Sequence, residues 1–277
     1  MRESLWPARI AAIGAVATLI VLNAFQPGGA AVLELASDGL YAATALLGAV
    51  LAFLAASRFD RQVPQRRVWS LLGIGLLLWA LAELMWTYYQ IGVGVGVDVP
   101  YPSPADIVWA VGTAPLVLGV FLGHRSLGVR LSPRQRLAAT GAYAILLTLL
   151  AGGLLVPMFF SQPGVPWAEA LLGVYYLIGD LTLAFIATLS LGVLWDGLVG
   201  RPWLPIVIGA LLFALSDTAF TYAVWIGVYS TGANLLSAAI DVSSLAAYTA
   251  IAVGAYRQAS LRLPNPTDLH KASASRA

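Results

Sequence analysis

Residues 68–90 read VWSLLGIGLLLWALAELMWTYYQ, with Arg66 and Arg67 just before them. At about 1.5 Å per residue the run is long enough to cross roughly 30 Å of hydrocarbon as a helix. Its only charge is Glu83. A chain in lipid must satisfy its own backbone hydrogen bonds, so the stretch reads as a transmembrane helix. Comparable runs recur at about 9–26, 36–57, 105–123, 137–160, 169–195, 203–227 and 234–256, which brings the expected spans to eight.

Composition agrees with that reading. The 277 residues are 60% hydrophobic and only 10% charged, whereas soluble domains are about a quarter charged. The absence of cysteine excludes a disulfide framework, a thiolate nucleophile and Cys-based metal or iron–sulfur centres. Two histidines, His124 and His270, are too few for a haem stack or a His-rich metal centre. A net charge of +2 gives no footing for nucleic acid.

The placement of charge sets the orientation. All 15 basic residues fall in the N-terminus, the 2–3, 4–5 and 6–7 connections, and the C-terminal tail. With eight spans these segments share one side, which the positive-inside rule makes cytoplasmic. Both termini are therefore expected inside. The opposite side carries acids: Glu34, Asp38, Asp98 and Glu169. The first span has a second reading as a secretory signal, with small residues near Gly28–Ala31 as a cleavage region. The only lysine, Lys271, lies in the polar tail, so no membrane lysine can form a retinal Schiff base. Residues 1–257 are expected to form one membrane domain, followed by a disordered cytoplasmic tail at 258–277.

Two segments of the chain resemble each other. Arg67, Trp69, Gly75, Trp79, Glu83, Trp86, Thr87 and Tyr88 align with Arg201, Trp203, Gly209, Phe213, Asp217, Phe220, Thr221 and Tyr222. After a connection longer by one residue, Asp106 and Gly119 align with Asp241 and Gly254. The expected architecture is all-α, with two parallel four-helix repeats at about 1–125 and 134–257, related by an axis along the membrane normal.

Five carboxylates fall within the expected spans: Glu83, Asp106, Asp180, Asp217 and Asp241. Each costs about 2.5–3.5 kcal/mol at the bilayer centre, so most should face the bundle interior. Glu83, Asp180, Asp217 and Asp241 each stand about 24 Å from the cytoplasmic end, in one layer of the outer third. Trp79, Trp86 and Thr87 share a helix face with Glu83, Tyr176 precedes Asp180 by a turn, and Ser237, Ser244 and Tyr248 flank Asp241. Glu83, Trp86, Asp180, Asp217, Tyr222, Asp241, Tyr176 and Trp79 thus make a candidate outward-facing pocket for a cation or small ligand. On the other reading the acids merely bridge helices. Asp106 reads structurally: Ser103 suits an N-cap, Pro104 the first helical position, and a carboxylate the first turn.

Gly92-Val-Gly-Val-Gly96 lacks the helix and lysine of a phosphate cradle. No zinc-binding His-Glu pattern or nucleophile elbow occurs. Neither a catalytic residue nor a metal ligand is assigned, and no cofactor is implied.

Two motifs nevertheless look familiar. Leu78-Trp-Ala-Leu-Ala-Glu-Leu-Met-Trp86, followed by Tyr101-Pro-Ser-Pro-Ala-Asp-Ile107, resembles the membrane region of bacterial signalling proteins with GGDEF and EAL output domains, which make or degrade cyclic diguanylate. Tyr175-Tyr-Leu-Ile-Gly-Asp180 resembles their Y-P-x-x-D helix, with Leu in place of the proline. Leu215-Ser-Asp-Thr-Ala-Phe-Thr-Tyr222, with Gly227, Tyr229, Gly232 and Asp241, resembles their final spans. The likeness covers roughly 60–257, and the short tail leaves no room for an output domain, so no catalytic residue transfers. It implies a non-enzymatic sensor-like module or accessory subunit of a bacterial inner membrane. Its expected partners are the lipid bilayer, other membrane subunits or a separately encoded signalling protein. A proton- or cation-coupled secondary transporter is the alternative.

Overall fold

The computed structural model describes residues 6–93, 102–126, 131–161, 166–194 and 200–261. Among them all regular structure is helical: α1 (Trp6–Phe25), α2 (Ala30–Ser57), α3 (Pro64–Val93), α4 (Pro104–Ser126), α5 (Pro133–Leu150), α6 (Val156–Ser161), α7 (Trp167–Leu194), α8 (Gly200–Trp225) and α9 (Leu235–Ala259). A π turn at Ala151–Leu155 joins α5 to α6 without a break. Counting that pair as one span, eight helices are long and apolar enough to cross a membrane. The chain is a multi-pass helical membrane protein. Asp98, the Gly94–Gly96 part of the glycine-rich connection, and the tail from 262 lie outside the described residues.

The π turn has a local cause. Pro157 has no N–H to donate and its ring crowds the preceding turn, so the helix widens just before it. The Val156 amide bonds to Ala151 O, five residues back.

The helix ends fall close to the apolar runs, with one consequential difference. Helix α2 begins at Ala30 rather than near 36. Gln26, Gly28 and Gly29 hold positive φ angles of 42°, 89° and 82°, so the chain reverses within a few residues and the next helix starts at once. Glu34, expected on the outer side, therefore belongs to α2, and Asp38, read as an outer-side acid at the edge of its span, is buried in the bundle with 7% exposure.

Six helices close a ring in the order α2–α3–α4–α7–α8–α9, with α9 returning to α2. Helix α1 lies outside against α9, and α5 outside against α7. Leu137, Ile145 and Leu149 of α5 are exposed, as a lipid-facing surface requires. The ring's interior is aromatic. Trp69 and Trp203 have ring centroids 6.0 Å apart, and Trp79 meets Phe213 edge-on at 4.9 Å. Because successive contacts advance together along α3 and α8, these two helices run in the same direction. Tyr248 closes the cluster, edge-on to Phe213 at 4.7 Å and to Trp79 at 6.0 Å.

Glycines set the closest approaches. A Cβ at Gly75 would sit 2.4 Å from Leu116 Cγ and 2.9 Å from Gly112 O. One at Gly209 would sit 2.6 Å from Ile251 Cγ1 and 2.8 Å from Ala247 O. Helix pairs α3–α4 and α8–α9 thus pack through small residues, the usual means of close contact where lipid supplies no hydrophobic drive.

Candidate functional site

The site grows from Glu83, which α3 directs into the ring one turn beyond Trp79. The residue is buried. Tyr248 of α9 donates its hydroxyl to Glu83 Oε1 at 2.6 Å. One turn earlier on α3, Trp79 Nε1 donates to Trp109 O of α4 at 3.1 Å. Adjacent turns of α3 are thus tied to α9 and to α4.

Asp180 of α7 and Asp217 of α8 are neighbours on facing helices. Both line a small cleft with Tyr176, Thr221, and Leu154 and Leu155 of the π turn. Its volume of about 20 Å³ has room for one water-sized occupant. Glu83 and Asp217 are electrostatic neighbours, so the pair and Glu83 belong to one layer.

Asp241 lies at the other end, on α9. Its Oδ1 accepts from Tyr229 Oη at 2.7 Å, and its backbone carbonyl accepts from Tyr41 Oη of α2 at 2.9 Å. Tyr229 belongs to the α8–α9 connection, outside the spans. Burial and the adjacent Asp241 carboxylate push its phenol above the usual range, so it stays protonated and able to donate. The polar stripe around Asp241 is ordered by the helix start: Asn234 Oδ1 accepts from the Ser237 amide at 2.9 Å, an N-cap.

The eight residues singled out in the sequence do not all meet. Glu83, Trp79, Asp180 and Asp217 contribute to the layer, and Tyr176 reaches it at the cleft, while its hydroxyl donates to Asp106 O at 2.9 Å. Trp86 stacks at 5.9 Å on Trp109. Tyr222 stands apart, 46% exposed, with its ring against Trp225. The aromatic groups fill the ring rather than line an open space, so the cleft admits nothing the size of an organic ligand.

Asp106 is a cap. Its Oδ2 accepts from both the amide and the hydroxyl of Ser103, each at 2.7 Å, which anchors the start of α4.

Three contributors escaped the sequence reading: Asp38, Tyr41 and Tyr229. Asp38 has Asp241, Glu83 and Glu34 as electrostatic neighbours. Glu34 is tied to α3 by Gln90, whose Nε2 donates to Glu34 Oε1 at 2.7 Å. Asp38 and Tyr41 are three residues apart and hence on one helix face; both fall within the 36–57 run, so that spacing is a signal the sequence carries.

No protein-family model, curated protein or solved structure matches this chain. Its function is therefore argued from the layer itself. Among the described residues no three His, Asp or Glu side chains gather closely enough to encage a metal unaided. What the arrangement offers is carboxyl oxygens and phenol hydroxyls, in spans that carry no lysine or arginine between 68 and 124 or between 202 and 256.

Proposed function

We propose that this is a non-enzymatic, sensor-like module or accessory subunit of a bacterial inner membrane. In this reading both termini are cytoplasmic, and the outer acidic layer takes up a cation or protons. The observation that carries it is the buried attachment of Glu83: α3 supplies the acid and α9 supplies Tyr248, one turn from the Trp79 bond that ties α3 to α4. A buried charge without a basic partner must be neutralised from elsewhere. A change in its occupancy therefore changes what holds α3 to α9.

Two four-helix repeats are part of the same proposal. Offsetting residues by 134 in α3 and 135 in α4 turns the Gly75 contacts with Leu116 and Gly112 into the Gly209 contacts with Ile251 and Ala247. The same offset maps Trp69 onto Trp203, which touch, as expected beside a two-fold axis. Parallel repeats of this kind place a site between the halves.

The test is transmission across the bilayer. Spin labels at Ser57 and Gln258, near the cytoplasmic ends of α2 and α9, should change their distance distribution when the protein in nanodiscs is moved between pH 5 and pH 8 or given salt. Glu83→Gln should remove the change. An unaltered distribution under every condition overturns the reading.

One observation favours a coupled transporter instead: the Asp180–Asp217 pair beside a one-water cleft and a widened helix turn. Proton flux into liposomes under a pH gradient, lost in Asp180→Asn, would establish it. A null flux rejects it.

A further inference from the structure

The acidic layer divides into a satisfied part and an unsatisfied part. Glu83 receives the Tyr248 hydroxyl, and Asp180 and Asp217 adjoin each other at the cleft, none of the three with a buried oxygen left bare. Asp38 and Asp241 differ. Each is more than nine-tenths buried, at 7% and 4% exposure, and in each the Oδ2 oxygen is buried without a hydrogen-bond partner from the protein. Both carboxyl groups are electrostatic neighbours of each other and of the Tyr229 phenol.

A lone pair left bare in a low-dielectric interior costs free energy comparable to a lost hydrogen bond. The two carboxyl groups share no hydrogen bond, so a proton on one Oδ2 would leave the other bare. No basic side chain can reach: none occurs between 10 and 57, and the nearest to Asp241 in sequence is Arg257, more than four helical turns away at the other end of α9. A cation answers two acceptors at once and, unlike a neutral water, also balances the charge of two buried carboxylates. Carboxylate and phenol oxygens, with no sulfur or imidazole present, are hard donors suited to Na⁺, Mg²⁺ or Ca²⁺ rather than to transition metals.

We infer that Asp38 and Asp241 form a hard-cation site between α2 and α9, at the outer end of the bundle beneath the α8–α9 connection that carries Tyr229. This deepens the proposed function and rests on it. It names the ion class and moves the binding point from Glu83 to Asp38 and Asp241. Two carboxylates alone do not encage a metal, so the rest of the shell comes from water, as small hard cations commonly arrange.

The full chain, purified in detergent, is melted with CaCl₂, MgCl₂ or NaCl, with choline chloride as the ionic-strength control. At about a hundredfold excess over Kd, one of the three should raise Tm by about 5–10 °C. Asp38→Asn and Asp241→Asn should abolish the rise, while Glu169→Gln keeps it. Tb³⁺ luminescence sensitised by Tyr41 and Tyr229 gives a second readout. It should be lost in Asp38→Asn and competed away by whichever cation stabilises the protein. Should Asp38→Asn fail to fold, Tyr229→Phe replaces it and should weaken Tb³⁺ binding at least several-fold. A cation response lost in Asp180→Asn but kept in Asp38→Asn overturns this inference and leaves the layer as the sensor. No response to any cation alongside an intact pH-dependent spin-label change does the same. No response in either experiment overturns both.

Discussion

Tyr248 of α9 donates its hydroxyl to Glu83 of α3 at 2.6 Å, with both side chains buried. The two residues are 165 positions apart in the chain, yet this bond joins the two helix pairs at the centre of the ring. The structure is organised about an acid that no basic side chain answers.

Removing that donor should be costly. Tyr248→Phe leaves Glu83 with a buried acceptor unmet, and stability should fall by about 1–3 kcal/mol. Equilibrium unfolding in mixed micelles measures the loss. Adding Glu83→Leu to Tyr248→Phe should recover part of it, because the unpaired carboxyl group is then gone. A double variant no better than the single would show that packing, not the hydrogen bond, dominates.

Glycine positions separate close packing from open lipid surface. At Gly254 a Cβ would lie 2.7 Å from Pro202 O and from Ile206 Cγ1, and the backbone oxygen cannot rotate away. Gly254→Ala should therefore destabilise by about 1–3 kcal/mol. At Gly141 nothing lies within 4 Å. There the same change should stabilise by about 0.5–1 kcal/mol, through helix propensity alone. Thermal melts of the two variants side by side decide it.

The α8–α9 connection depends on one side chain. Asn234 caps α9 by accepting from the Ser237 amide and also donates to Val228 O at 2.7 Å. Asn234→Ala should cost about 1–2 kcal/mol and increase hydrogen exchange across residues 228–237 selectively. Unchanged exchange there would count against the cap as the anchor of Tyr229.

Orientation is testable because the natural chain has no cysteine. Ser57 and Ser230 are both exposed, at opposite ends of the bundle. In intact cells a membrane-impermeant thiol reagent should label Ser230→Cys and not Ser57→Cys. In inverted vesicles the pattern should reverse. Labelling in the opposite sense would refute the positive-inside assignment.

Much of the architecture was legible beforehand. Span length is a one-dimensional property, set by the thickness of hydrocarbon and the rise of a helix, so the eight apolar helices could be counted by reading along the chain. The expectation of a common depth for Glu83, Asp180, Asp217 and Asp241 comes from the same counting. Asp38 stands at the edge of its apolar run, where counting reads it as an outer-side acid; the helix starts about two turns earlier, at the tight reversal of Gln26–Gly29, which carries Asp38 into the bundle. Tyr222 was misplaced by proximity in sequence. It lies five residues past Asp217, about 140° round the helix, and its ring turns toward lipid.

Length, periodicity and the distribution of charge thus determined by themselves that this is a membrane protein of eight apolar helices that carry several acids. Which acids meet, and which are left wanting a partner, was decided only when the ring closed in the order α2–α3–α4–α7–α8–α9. The reason is physical. Depth along a helix follows from counting residues, but contact across helices depends on how each one is rotated and which neighbour it takes. Those choices are made by glycine contacts and aromatic packing between residues far apart in the chain.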